Sequence, residues 1–174
     1  LDLRIMQKKH IEKLFSGKLD DKVYFAFDDI RDKDLIIQKL DLLNETVEVK
    51  MKCIRLYVLC GFDRAGKWGN GFWYLDIRDT LERVKILMRF GCYPYIMRYE
   101  KCWTSPYYGM YTVISRWCNQ PAQFKKKSLR EFCNLQGGSS KRYLDEFEKE
   151  YPQISGYLDM KYVEVVADGA LYRG

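Results

Sequence analysis

Short apolar runs alternate with longer amphipathic stretches along the first hundred residues. The densest run is Ile54 to Gly61, which stops abruptly at Gly61, Phe62 and Asp63. Its composition predicts a parallel strand, apolar on both faces, that opens at its carboxyl end into a glycine turn. Val23 to Phe27 (VYFAF) has the β-branched and aromatic content of another strand and ends in Asp28 and Asp29. Cys92 to Tyr99 predicts a third, starting near Tyr95 because Pro94 cannot donate to a ladder. Leu1 to Met6 alternates Leu, Leu and Ile with Asp and Arg, the pattern of a short strand with Asp2 and Arg4 on one side.

Helical spacing fills the intervals. Ile11, Leu14 and Phe15 mark one helix over Lys8 to Phe15. Leu35, Ile36, Leu40 and Leu43 form the stripe of a second, with Asp32 as its N-cap. Leu81, Val84, Leu87 and Met88 belong to a third, Leu75 to Phe90, closed by Gly91. Polar links cover Ser16 to Lys22 and Thr46 to Lys52. Strand and helix thus repeat three times and end on a fourth strand. With right-handed crossovers this is an α/β fold with a parallel sheet, open or part of a (β/α) barrel, whose ligands sit at the strand carboxyl ends.

From Tyr99 the composition changes. Residues 1–100 read as the partial barrel, and residues 101–174 as a mainly helical extension. Helices are expected over Gly109 to Cys118, Lys127 to Asn134 and Arg142 to Glu150, with a flexible Gly137-Gly138-Ser139-Ser140 between the last two. The tail, Val163 to Gly174, is too short to interpret.

Composition narrows the function classes. Apolar residues make up 47% of the 174 residues, enough for a folded domain with a real core. No apolar run approaches the roughly 20 residues of a membrane helix. The net charge is +6, with a basic cluster at Lys125, Lys126, Lys127 and Arg130. Six cysteines without a secretory signal are expected to be reduced thiols in the cytoplasm. None falls in a CxxC or CxxxCxxC spacing, so the chain shows no local zinc or iron–sulfur signature. The single His10 excludes a multi-histidine metal site. The chain opens on LDLRI without methionine, and is read as a fragment that lacks an amino-terminal part of its domain.

Candidate chemistry gathers at the expected strand ends. Asp28 and Asp29 can bind a cation, position a hydroxyl or cap a helix; as neighbours in a strand they point to opposite faces. Arg98 and Glu100 end the fourth strand. The loop Arg64 to Gly71 (RAGKWGNG) lacks the GxxxxGK[ST] spacing of a phosphate cradle and reads as a lid. Cys60 reads as inert packing inside an apolar strand, whereas Cys118 beside Asn119 and Gln120 is a more polar thiol without an activating base.

The series LDLRI, YFAFDD, RLYVLCGFD and GCYPYIMRYE, each of the first three followed by a helix, resembles the second half of a radical S-adenosylmethionine enzyme core. The resemblance covers about Leu1 to Tyr99 and runs from the third strand of that core to the sixth. It implies a (β/α)6 partial barrel in which a [4Fe–4S] cluster reduces S-adenosylmethionine and a 5′-deoxyadenosyl radical abstracts hydrogen from substrate. On it, Arg4 would face the methionine carboxylate, and Asp28 and Asp29 the ribose or methionine. Gly61 would admit the adenine, with Ile96 and Met97 beside it. The CxxxCxxC loop that holds the cluster lies outside this chain, which alone is expected to be inactive. The family's GxIxGxxE pattern is met in part, with Tyr57, Leu59, Gly61 and Arg64 at its four defined positions.

Two other readings compete. In one, the aromatic and basic stretch 107–130 is a non-catalytic module that binds nucleic acid or an acidic partner. In the other, Asp28, Asp63 and Glu100 converge around Mg²⁺.

Overall fold

A computed structural model describes residues 1–17, 22–46 and 51–165. The expected polar links and the interpretation of the tail fall partly outside those residues. Three strands form one parallel sheet in the order β1 (Val23–Ala26), β2 (Ile54–Cys60), β3 (Tyr93–Arg98). The register pairs Tyr24 with Arg55 and Ala26 with Tyr57, then Arg55 with Tyr93 and Cys60 with Arg98. Pro94 is tolerated within β3 because that strand lies at the edge of the sheet.

The helices of the first part are α1 (Lys8–Phe15), α2 (Lys33–Thr46) and α3 (Asn70–Arg89). The second part is helical: α4 (Tyr108–Cys118), α5 (Pro121–Lys126), α6 (Leu129–Gln136), α7 (Gly138–Glu150) and α8 (Ser155–Leu158). The chain is therefore α/β and mostly helical, around a small open sheet.

The expected strand at the amino terminus is absent. Leu3–Ile5 form a 3-10 turn whose start is capped by the Asp2 carboxylate, which accepts from the Arg4 amide. Leu3 drops into the core while Ile5 is exposed, so the alternation of apolar residues here reports a turn rather than a pleat. The Asp32 cap is also displaced. Asp29 accepts from the Arg31 amide and starts a 3-10 turn at Ile30–Asp32 that runs straight into α2. Ser128 and Glu131 make a reciprocal capping box for α6. The expected flexible joint between α6 and α7 shrinks to Gly137, and Gly138 already begins α7.

One face of the sheet is buried and the other is half-open. Phe25, Leu56, Val58 and Ile96 point into a core shared with Leu40 of α2, Leu81 and Val84 of α3 and Met110 of α4. The residues between them, Tyr24, Arg55, Tyr57, Leu59, Tyr95 and Met97, remain partly or largely exposed. This corrects the expectation that β2 is apolar on both faces. With β2 in the middle, successive right-handed crossovers step in one direction and place α2 and α3 on the same side. The single core runs on into the helical part, where Tyr111 and Trp117 are completely buried.

Candidate functional site at the strand ends

A cleft of about 400 Å³ opens where β1 and β2 end. Asp28, Asp29, Phe62, Asp63 and Arg64 line it from the strand side, and Leu75, Asp76, Asp79 and Arg83 from α3. The abrupt stop at Gly61 creates this space. Its φ of +74° turns the chain where an L side chain would be strained, and an added Cβ would come within 2.2 Å of the Cys102 sulfur.

The anchor of the cleft is Arg83, only 2% exposed. Its Nη1 donates to the carbonyls of Phe27, Asp28 and Leu59 at 3.0, 2.8 and 2.9 Å. Nη2 donates to Thr80 Oγ1 at 3.0 Å, and Nε to the Asp79 carbonyl at 3.3 Å. One side chain thus ties the ends of β1 and β2 to α3, satisfying carbonyls that have no further strand to pair with. Burial pulls the guanidinium's pKa below its ordinary value, opposed by the charges of Asp76, Asp28 and Asp79.

Asp76, one turn before Thr80, accepts from the Gly61 amide and the Tyr111 hydroxyl, each at 2.7 Å. Burial raises its pKa against those two hydrogen bonds. A cleft-lining carboxyl with a raised pKa has the character of a general acid or base. Asp29 is its counterpart. Hydrogen bonds from Arg31 hold its pKa at about 2, assisted by Arg64 at 3.6 Å. Asp28 Oδ1 accepts from the Leu59 amide at 3.2 Å.

Among the six residues expected to meet S-adenosylmethionine, the structure brings Asp28 and Asp29 into the cleft. Gly61 borders it through its bond to Asp76. Arg4 lies on the amino-terminal turn rather than on a strand, and is engaged by Asp2 and Asp32, both at 2.9 Å. Ile96 presents its backbone to the outer edge of β3, where Asn119 takes both groups: Oδ1 accepts from the amide at 2.8 Å and Nδ2 donates to the carbonyl at 3.1 Å. Met97 projects from the half-open face. Asp76 and Arg83 were missed in the sequence because each reads as the polar side of an amphipathic helix. The shared helix face of Asp76, Thr80 and Arg83, beside the apolar 77, 81, 84, 88 stripe, marks them as neighbours but not as buried.

The loop expected to be a lid makes two hydrogen bonds beside the end of β2. Trp68 Nε1 donates to the Gly61 carbonyl at 3.2 Å, and the Lys67 amide to Asp63 Oδ2 at 2.6 Å. The Mg²⁺ arrangement is not formed: Asp28 and Asp63 line the cleft without Glu100, and no group of three potential ligands exists among the described residues. All six cysteines are free thiols. Burial pushes the Cys118 thiol well above its ordinary pKa, and the Cys133 thiol up to about 12, so neither is a ready nucleophile. In the 107–130 stretch, Lys125 and Lys126 are exposed while several other side chains are engaged. Tyr107 donates to Glu150 at 2.6 Å, Tyr111 and Trp117 are core, and Arg130 is held by Glu148 and Asp159 at 2.6 Å each. No helix among the described residues is long and apolar enough to cross a membrane.

Fold and site together define a parallel α/β protein with its helices on one face and a charged cleft at the strand carboxyl ends. Compared with protein-family models, curated proteins and solved structures, this chain matches none.

Proposed function

We propose that the chain is part of a radical S-adenosylmethionine enzyme, contributing the barrel segment whose strand ends receive the nucleoside and methionine parts of the cofactor. The observation that supports this reading is the one-sided sheet with its cleft at the carboxyl ends. Strands in sequential order with helices on one side are the arrangement of a (β/α) barrel, whose other face is the lumen.

The cleft residues fit the cofactor's polar groups. Asp28 and Asp29 offer acceptors for ribose hydroxyls, Arg64 a cation for the methionine carboxylate, and Phe62 an apolar surface for the base. The described residues do not fit an iron–sulfur cluster, since no three candidate ligands come together among them. Isothermal titration calorimetry with S-adenosylmethionine tests the reading. Saturable binding is expected, weakened by roughly tenfold in Asp29→Asn, the loss of one charge-assisted hydrogen bond. Absence of binding by the unmodified chain overturns the reading. Anaerobic reconstitution with iron and sulfide is expected to yield no stable absorbance near 400 nm beyond a thiol-blocked control.

A further inference from the structure

Two adjoining segments at the ends of β2 and β3, 61–68 and 98–104, build an aromatic and basic surface. Trp68 stacks on Tyr99 with ring centres 6.4 Å apart, and the edge of Phe62 meets Tyr99 at 5.1 Å. Lys101 sits over the Trp68 ring at 5.5 Å, and Arg98 over Trp103 at 4.7 Å. Lys101 is therefore held on the Tyr99–Trp68 stack and Arg98 on a second aromatic pair, Trp103 with Tyr108 at 5.2 Å. Trp103 is 58% exposed and Phe62 43%. Rings of this size left in water carry an unfavourable hydration free energy that a stacked partner removes.

Taken by themselves the two segments are net positive, although Phe62 also borders the cleft with its acids Asp28, Asp29, Asp63, Asp76 and Asp79, and Arg64 faces Asp29 at 3.6 Å. The two segments hold four cations, Arg64, Lys67, Arg98 and Lys101, against two acids, Asp63 and Glu100. Asp63 is occupied by the Lys67 amide. Open aromatic faces interleaved with cations suit a chain of unpaired bases joined by phosphates, because every base has a face to stack and every link carries a charge. A duplex hides its base faces and cannot use the rings.

We propose that this surface binds single-stranded nucleic acid, with bases stacked on Phe62 and Trp103 and the backbone drawn to Lys67 and Lys101. The proposal does not depend on S-adenosylmethionine binding, although it shares Phe62 with the cleft, and it uses none of the lysines of the 107–130 stretch.

Fluorescence anisotropy of a labelled oligouridylate of about 15 nucleotides, within the span of one such groove, tests it at low salt without added cofactor. Salt-sensitive binding is expected. Phe62→Ala combined with Trp103→Ala should weaken it by roughly tenfold or more, as stacking contributes about 1–3 kcal/mol per base. Both side chains are exposed, and an unchanged thermal melt confirms the fold of the variant. A triple Lys125→Ala, Lys126→Ala, Lys127→Ala variant should bind like the original. The proposal is overturned if the original chain does not bind, if the aromatic double variant binds normally, or if the lysine variant alone loses binding. Equal competition by uridine monophosphate would make this a mononucleotide site and overturn it too.

Discussion

The two faces of the sheet each carry an arginine, and the two are held in opposite ways. Arg83 reaches the strand ends from the covered side and spends all three guanidinium nitrogens on hydrogen bonds. Arg55 stands on the half-open face of β2, over the Tyr93 ring at 5.9 Å, and its buried Nε has no hydrogen-bond partner. The environment, not the residue type, decides what each does. Inside the core a charge persists only where carbonyls surround it. On the half-open face one unmade bond is a modest cost. The covered face is thus a finished piece of architecture, and the other still has donors and aromatic rings to satisfy.

The largest effect expected from breaking this contrast comes from Arg83→Leu. It orphans three carbonyls and a hydroxyl, at about 1–3 kcal/mol for each buried group left unpaired. Chemical denaturation should show a loss of about 3 kcal/mol or more, or no folded protein. Next is Gly61→Ala, which meets Cys102 and forces a positive φ on alanine. In a Cys102→Ala background the clash is relieved and the strain of the backbone remains, about 1–3 kcal/mol. A double-mutant cycle that shows no coupling would refute the packing account.

Smaller changes test the buried carboxyl. Tyr111→Phe removes a hydrogen bond to Asp76 and should cost about 1.5–3 kcal/mol at neutral pH. Because the Asp76 pKa is raised, the folded protein binds this proton more tightly than the unfolded chain does. Its contribution therefore falls as pH rises above the ordinary 3.8 and levels off above the raised value. Asp76→Asn should flatten that decline in a series of melts across acid pH. Asp29 acts with the opposite sign: its contribution is present above 3.8 and is lost as pH falls toward about 2. The smallest effect is expected from Arg55→Met, neutral or stabilising by less than about 1 kcal/mol. A large loss there would show that Arg55 is as firmly held as Arg83, and the contrast between the faces would fail.

Much of this fold was legible in the sequence. VYFA, IRLYVLC and YPYIMR became strands because β-branched and aromatic runs between turn residues have few other places to go. Their parallel pairing followed from helices long enough to cross over. Asp28 and Asp29 were placed at a strand end by position alone, and both line the cleft. The first six residues misled because Leu3 and Ile5 alternate like a strand, yet only Leu3 is buried and the Asp2 side chain closes a turn locally. The short helix α5 was hidden behind Pro121, which reads as a break but opens the helix from its first turn.

By itself, the sequence determined periodicity, the strand runs, most helices and the glycine that ends β2. Those are local properties, fixed by backbone sterics and by which side chains avoid water. Only the tertiary structure decided that one sheet face is left half-open, that Arg83 and Asp76 reach the strand ends from their helix, and that Phe62, Trp68 and Tyr99 gather while Tyr111 and Trp117 disappear into the core. Such choices depend on which distant groups meet. A single buried charge finds its carbonyls, or an aromatic ring its neighbour, through contacts between residues far apart in the chain, and no local pattern encodes them.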